Sequence, residues 1–154
     1  MSGTQATHQD AELILKLYDL RRETVMREAR NFVATFNPST FEELMAVVGA
    51  FGTKENAYVR QVYGYWEMAA SLIVHGALSA ALAEDTLGEM YFVYAKIQPF
   101  LQQMRNTTKS PEFLQNLQKV IEGTPEKRER LARMQERIAE FAKMQAAAAG
   151  KPGR

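Results

Sequence analysis

The stretch from Val62 to Ala83, VYGYWEMAASLIVHGALSAALA, constrains this chain more than any other. No charged residue stands between Glu67 and Glu84. A membrane-spanning helix needs about 20 mostly apolar residues; this run is shorter and carries Ser71, His75, Gly76 and Ser79. It therefore reads as a buried helix of a water-soluble fold, and such a helix must bury its apolar surface against other elements. Strand signals are missing: the sequence has no Asn-Gly or Asp-Gly pair and no sustained alternation of apolar and polar residues. The expected fold is all-α, a helical bundle of about five helices plus a C-terminal amphipathic helix.

Local punctuation divides the chain. A first helix is expected from Asp10 to Phe36, stopped by Asn37-Pro38 because the residue before proline avoids the helical region. A short second helix should start at Ser39 or Thr40, with Ser39 and Glu42 at capping-box spacing, and end near Phe51 before Gly52. Thr53 should cap a third helix from about Lys54 to Val74, with His75-Gly76 either its end or a soft point before Ala77–Ala83. A fourth is expected from Thr86 to Arg105, kinked at Pro99. Ser110-Pro111-Glu112 and Thr124-Pro125-Glu126 both read as a cap, a proline at the first helical position and an acid at the positive pole of the dipole. These boundaries give a bundle domain over residues 10–123, a C-terminal helix over 124–149, and disordered ends at 1–9 and 150–154.

On the third helix Arg60, Gly64, Glu67, Ser71 and His75 fall on one narrow arc, and the rest of the circumference is apolar. The stripe either faces water or meets another helix, with the small Gly64 and Ser71 allowing a close approach. The first helix has an apolar seam of Ile14, Tyr18, Val25, Ala29, Phe32 and Phe36, and Arg21 and Arg22 share the seam position between Tyr18 and Val25. An arginine at a buried face needs a carboxylate. The expected contact is Arg22 with Glu67, with Glu89 as the alternative acceptor. The mixed-sign run from Arg21 to Arg30 otherwise reads as a solvated helical face, with Glu23 and Arg27 in the favourable order.

Composition excludes several chemistries. The 154 residues include no cysteine and only two histidines, His8 and His75. Disulfides, thiolate nucleophiles, zinc–thiolate and iron–sulfur sites are thereby ruled out, and a histidine metal site is poorly supplied. No Glu-x-x-His pair, Gly-x-Ser-x-Gly elbow, Gly-x-Gly-x-x-Gly or Walker A sequence occurs. No metal, no cofactor and no catalytic residue is assigned, and a non-enzyme is favoured over an enzyme. The aromatics Tyr58, Tyr63, Tyr65, Trp66, Tyr91, Phe92, Tyr94 and Phe100 read first as core. The alternative is a small-molecule pocket around Trp66, Tyr63 and His75 with a buried Arg22–Glu67 pair. A net charge of +1 gives no whole-molecule field favouring nucleic acid or membrane, and the expected location is the cytoplasm.

In the last helix Leu131, Met134, Ile138, Phe141, Gln145 and Ala148 recur with heptad spacing. Eight basic residues against four glutamates lie from residue 124 onward. This helix folds back on the bundle, pairs with a partner or a second copy, or touches an anionic surface. Leu131, Met134, Ile138 and Phe141 are the expected contact residues, and a protein partner or self-association is the expected use.

The segment Val62–Arg105 and the arginine-rich first helix resemble an uncharacterised bacterial family of helical domains of unknown function. The resemblance rests on Trp66-Glu67, then Gly76-Ala77-Leu78, then a helix ending Ile97-Gln98-Pro99-Phe100. It implies an all-α fold and supplies no activity. Members of that family often follow an N-terminal membrane helix, and the sequence here contains no apolar run of that length.

Overall fold

The computed structural model describes residues 5–150, and these are all-helical with no strand among them. The helices are α1 (His8–Leu20), α2 (Thr24–Thr35), α3 (Phe41–Val48), α4 (Lys54–Val74), α5 (Ala80–Thr86), α6 (Glu89–Ile97), α7 (Leu101–Thr108), α8 (Gln115–Ile121) and α9 (Pro125–Ala149), with a 3-10 turn Gln98–Phe100 between α6 and α7. The disorder expected at residues 1–4 and 151–154 lies outside the described residues. At the near end α1 begins at His8, ahead of the expected Asp10, because Thr7 and Asp10 form a reciprocal capping box.

The core centres on two helices. α4 packs on α2, α3 and α8, and α6 packs on α9. α4 presents Val59, Val62, Tyr63, Trp66, Ala69 and Ala70 to the interior. α6 is enclosed more completely, with Met90, Tyr91 and every residue from Val93 to Ile97 buried. The Tyr63 hydroxyl on α4 donates to the Val93 carbonyl on α6 at 2.7 Å, so the two central helices are joined by a satisfied polar contact as well as by packing.

Several boundaries stand where local chemistry puts them. Thr53 caps α4 and Thr124 caps α9, each accepting from the backbone N–H three residues on. α4 ends in a Schellman arrangement: Gly76 takes φ +77° while Gly76 N–H and Ala77 N–H donate to Ile73 and Leu72 carbonyls. Gly52 takes φ +90° before α4, although α3 has already ended at Val48.

Other boundaries differ, each for a physical reason. The expected first helix is two, broken at Arg21–Glu23. The Glu23 carboxylate accepts from Val25 N–H (3.0 Å) and Met26 N–H (2.8 Å), giving α2 its own N-cap. The face that α1 and α2 bury consequently shifts to Ile14, Leu17, Met26, Ala29 and Val33, leaving Tyr18 and Val25 exposed. Thr40, not Ser39, caps α3, and the carboxylate reaching back to Ser39 N–H belongs to Glu43 at 2.7 Å, not to Glu42. Pro99 does more than kink the fourth helix: it falls in the 3-10 turn that separates α6 from α7. Ser110 starts no helix. Its carbonyl closes a turn onto Phe113 N–H, and α8 starts five residues later, after Leu114 at φ +55°.

Candidate functional site

The polar stripe of α4 is not one site. Gly64 faces open space, and Arg60 and His75 are exposed. The Arg60 Nε donates to Asn56 Oδ1 at 3.0 Å, and the fully buried Asn56 amide donates to the carbonyls of Val47 (3.2 Å) and Val48 (2.7 Å) at the end of α3. Ser71 bonds back to the Met68 carbonyl. Glu67 alone meets a neighbouring helix, and that helix is α8. Its two carboxylate oxygens accept from Asn116 N–H and side-chain amide (both 3.0 Å) and from Leu117 N–H (2.9 Å). α8 lacks a cap from its own Leu114. Glu67 supplies that cap from nearly fifty residues away, placing a negative charge at the positive pole of the α8 dipole.

The expected Arg22–Glu67 pair is therefore corrected. Arg22 is exposed and makes no ion pair among the described residues. Glu89, the alternative acceptor, is the carboxylate at the arginines, and it holds Arg21 and Arg30. Arg21 Nη2 lies 3.1 Å from it; Arg30 reaches it through Nε (3.0 and 3.1 Å) and Nη2 (2.9 Å). Arg21 ends α1 with helical backbone and continues the buried face of Ile14 and Leu17, so it points inward: its guanidinium lies 4.7 Å from the Tyr18 ring centre and 5.4 Å from that of Trp66. Trp66 is wholly buried, edge-on to Tyr65 at 4.9 Å.

The aromatic cluster is core. Tyr63, Tyr91 and Tyr94 are buried, and each hydroxyl finds an acceptor: the Val93 carbonyl, the Glu84 carboxylate (2.8 Å) and the Glu122 carboxylate. Burial pushes all three phenols well above the usual tyrosine range, Glu84 and Glu122 adding to the effect on Tyr91 and Tyr94. Tyr65, whose hydroxyl donates to the Leu17 carbonyl, is pushed up to about 12, mainly by burial.

Sequence reading missed Lys96. It is 6% exposed, and its ammonium donates to the carbonyls of Val33 (2.6 Å), Ala34 (3.0 Å) and Phe36 (3.1 Å). It satisfies the C-terminal carbonyls of α2 and sits at that helix's negative pole. Burial pushes it down to about 8. The acceptors lie some sixty residues away, so no local signal announces it.

α9 is tied to the bundle along its first half. Leu131 is buried, Met134 and Ile138 pack partly against the core, and Arg130 bonds the Glu84 carboxylate (2.8 Å) and carbonyl (2.9 Å) over the Tyr91 ring. Beyond Ile138 the seam runs into water: Phe141 is 60% exposed and Met144 68%. A groove of roughly 480 Å³ opens beside Phe141, walled by Phe92, Met134 and Ile138 and rimmed by Glu89 and Arg137.

Comparison with known proteins adds one finding. Residues 6–124 match the pattern of a domain of unknown function, DUF4760. The chain belongs to this family. Its matched region takes in α1 to α8 and stops at the cap of α9. No curated protein and no solved structure matches the chain. Among the described residues no helix is long and apolar enough to cross a membrane, and no group of acidic or histidine side chains is arranged to hold a metal ion.

Proposed function

We propose that this protein is a non-enzymatic interaction module of the cytoplasm that self-associates through the outer end of α9. The observation that carries the reading is the seam of α9, covered as far as Ile138 and open at Phe141 and Met144. Knob and groove stand side by side on one face: Phe141 and Met144 project next to an apolar trough walled by Phe92, Met134 and Ile138. A two-fold pairing of such a surface places the knob of each copy in the trough of the other, as an isologous interface requires. The trough is large enough for one phenyl ring with space to spare. Ala146 to Ala149 continue the helix with small side chains, which favours close approach of a second helix.

The test is light scattering coupled to size exclusion on the full chain, comparing the wild type with Phe141→Glu/Met144→Glu. Both residues are exposed, so the variant should keep its helical circular dichroism and melting temperature. A dimeric wild type and a monomeric variant support the reading. A wild type that stays monomeric across the accessible concentration range refutes it.

A further inference from the structure

We propose that the corner between α1 and α2 is a binding site for a multiply charged oxyanion of the phosphate or diphosphate class. A groove of roughly 410 Å³ there is lined by Leu15, Tyr18, Asp19, Arg21, Arg22, Arg27 and Arg30. Its existence follows from the helix break. On one continuous helix the four arginines would splay around more than half of the circumference, at about 100° per residue. With the helix broken at Arg21–Glu23, all four line one groove.

The charge at this corner is unbalanced. Glu89 is shared by Arg21 and Arg30, and Asp19 is the only carboxylate lining the groove itself. Four guanidiniums thus face two carboxylates. The other nearby acids are turned elsewhere: Glu23 onto the N–H groups of α2, and Glu28 toward the Tyr58 hydroxyl at 2.8 Å. Among the described residues Arg22 and Arg27 have no ion-pair partner, and the buried Nε of Arg21 has no hydrogen-bond partner. Guanidinium forks suit planar or tetrahedral oxyanions because two N–H groups meet two oxygens at once. A monocarboxylate would neutralise only half of the excess. A phosphate dianion or a diphosphate matches it. Leu15, exposed on the rim, and Tyr18 offer an apolar wall to whatever organic group the phosphate carries.

Part of the site is rigid before any ligand arrives. Arg21 is clamped between Tyr18, Trp66 and Glu89, and Arg30 is held in a bidentate grip on Glu89. Binding then orders only Arg22 and Arg27, which limits the entropic cost.

The experiment titrates inorganic pyrophosphate into the full-length protein by calorimetry and thermal shift, with sodium chloride holding ionic strength constant. Arg22→Gln/Arg27→Gln is the comparison, because neither residue takes part in an ion pair. Expected are a saturable rise in melting temperature for the wild type and a loss of affinity of at least about tenfold in the variant. No saturable binding by the wild type, or equal binding by wild type and variant, overturns the proposal. A second arm uses sedimentation with phosphatidylcholine vesicles, with and without phosphatidylinositol phosphate. Arginine-dependent capture by the phosphorylated lipid assigns the oxyanion to a headgroup; pyrophosphate binding without vesicle capture assigns it to a soluble ligand.

Discussion

Replacing Glu67 by glutamine tests the central structural statement, that a carboxylate on α4 caps α8. The carboxylate receives three hydrogen bonds, two of them from backbone N–H groups of a helix that has no cap of its own. A glutamine keeps one acceptor oxygen and turns an NH₂ group toward at least one of those donors. Hydrogen bonds to charged groups contribute about 1.5–3 kcal/mol each, and cap substitutions cost about 0.5–2 kcal/mol. The remaining oxygen retains part of this, so the expected loss for Glu67→Gln is about 2 kcal/mol. For a chain of this length that lowers the melting temperature by about 4–8 °C. Glu67→Ala leaves both backbone donors without a protein partner and should cost more. Hydrogen exchange adds a local readout: the Asn116 and Leu117 amides should lose protection in the variant before the core of α4 does. Arg22→Ala is the internal comparison and should stay within about 0.5 kcal/mol of wild type, as exposed unpaired residues do. An unchanged melting temperature in Glu67→Gln would sink the capping argument. An Arg22→Ala loss equal to that of Glu67→Gln would instead revive the ion pair that the structure does not contain.

Two further outcomes follow from the buried polar groups. Lys96→Met removes the one donor shared by the Val33, Ala34 and Phe36 carbonyls; even with the cost of burying a charge relieved, unsatisfied acceptors should leave it less stable by about 1–2 kcal/mol in urea unfolding, and a variant as stable as wild type would refute the capping role. Raising the pH should destabilise the fold through its tyrosines. Tyr63, Tyr65, Tyr91 and Tyr94 keep their protons in the folded state where the unfolded chain loses them near pH 10, so their stabilisation is complete below that pH and is lost as pH climbs toward 12. Phenolate absorbance of these four should appear together with loss of helical circular dichroism, and ionisation of all six tyrosines near pH 10 in a protein that stays helical would contradict the buried, hydrogen-bonded placement.

How much could be read in advance depended on how far each signal reaches along the chain. Thr53 and the Thr124-Pro125 pair act on backbone groups within a few residues, and α4 and α9 begin where they say; Gly76, read as an end or a soft point, closes α4. The α1–α2 break was not legible in this way. Arg21–Glu23 contains neither proline nor glycine, and a glutamate three residues before Met26 suits a continuing helix as well as a cap. The contacts made around the break are tertiary: Arg21 at the end of α1 and Arg30 on α2 both reach Glu89 on α6. The arginine in the apolar seam demands a carboxylate, and Glu89 is one of the two acceptors that the sequence offers. The pairing itself depended on which way the broken helix turned.

By itself the sequence determined the fold class, that the apolar run around Trp66 is shorter than a membrane span, and the helix ends that short-range capping controls, because each depends on run length, on periodicity or on neighbours a few residues apart. Tertiary structure decided that Glu67 caps a helix fifty residues on, that Lys96 is buried on the carbonyls of α2, that four arginines share one groove, and that the seam of α9 is covered to Ile138 and bare at Phe141. Those outcomes turn on which distant backbone groups and charges are brought within about 3 Å, a distance that hydrogen bonds and ion pairs require and that no local pattern encodes.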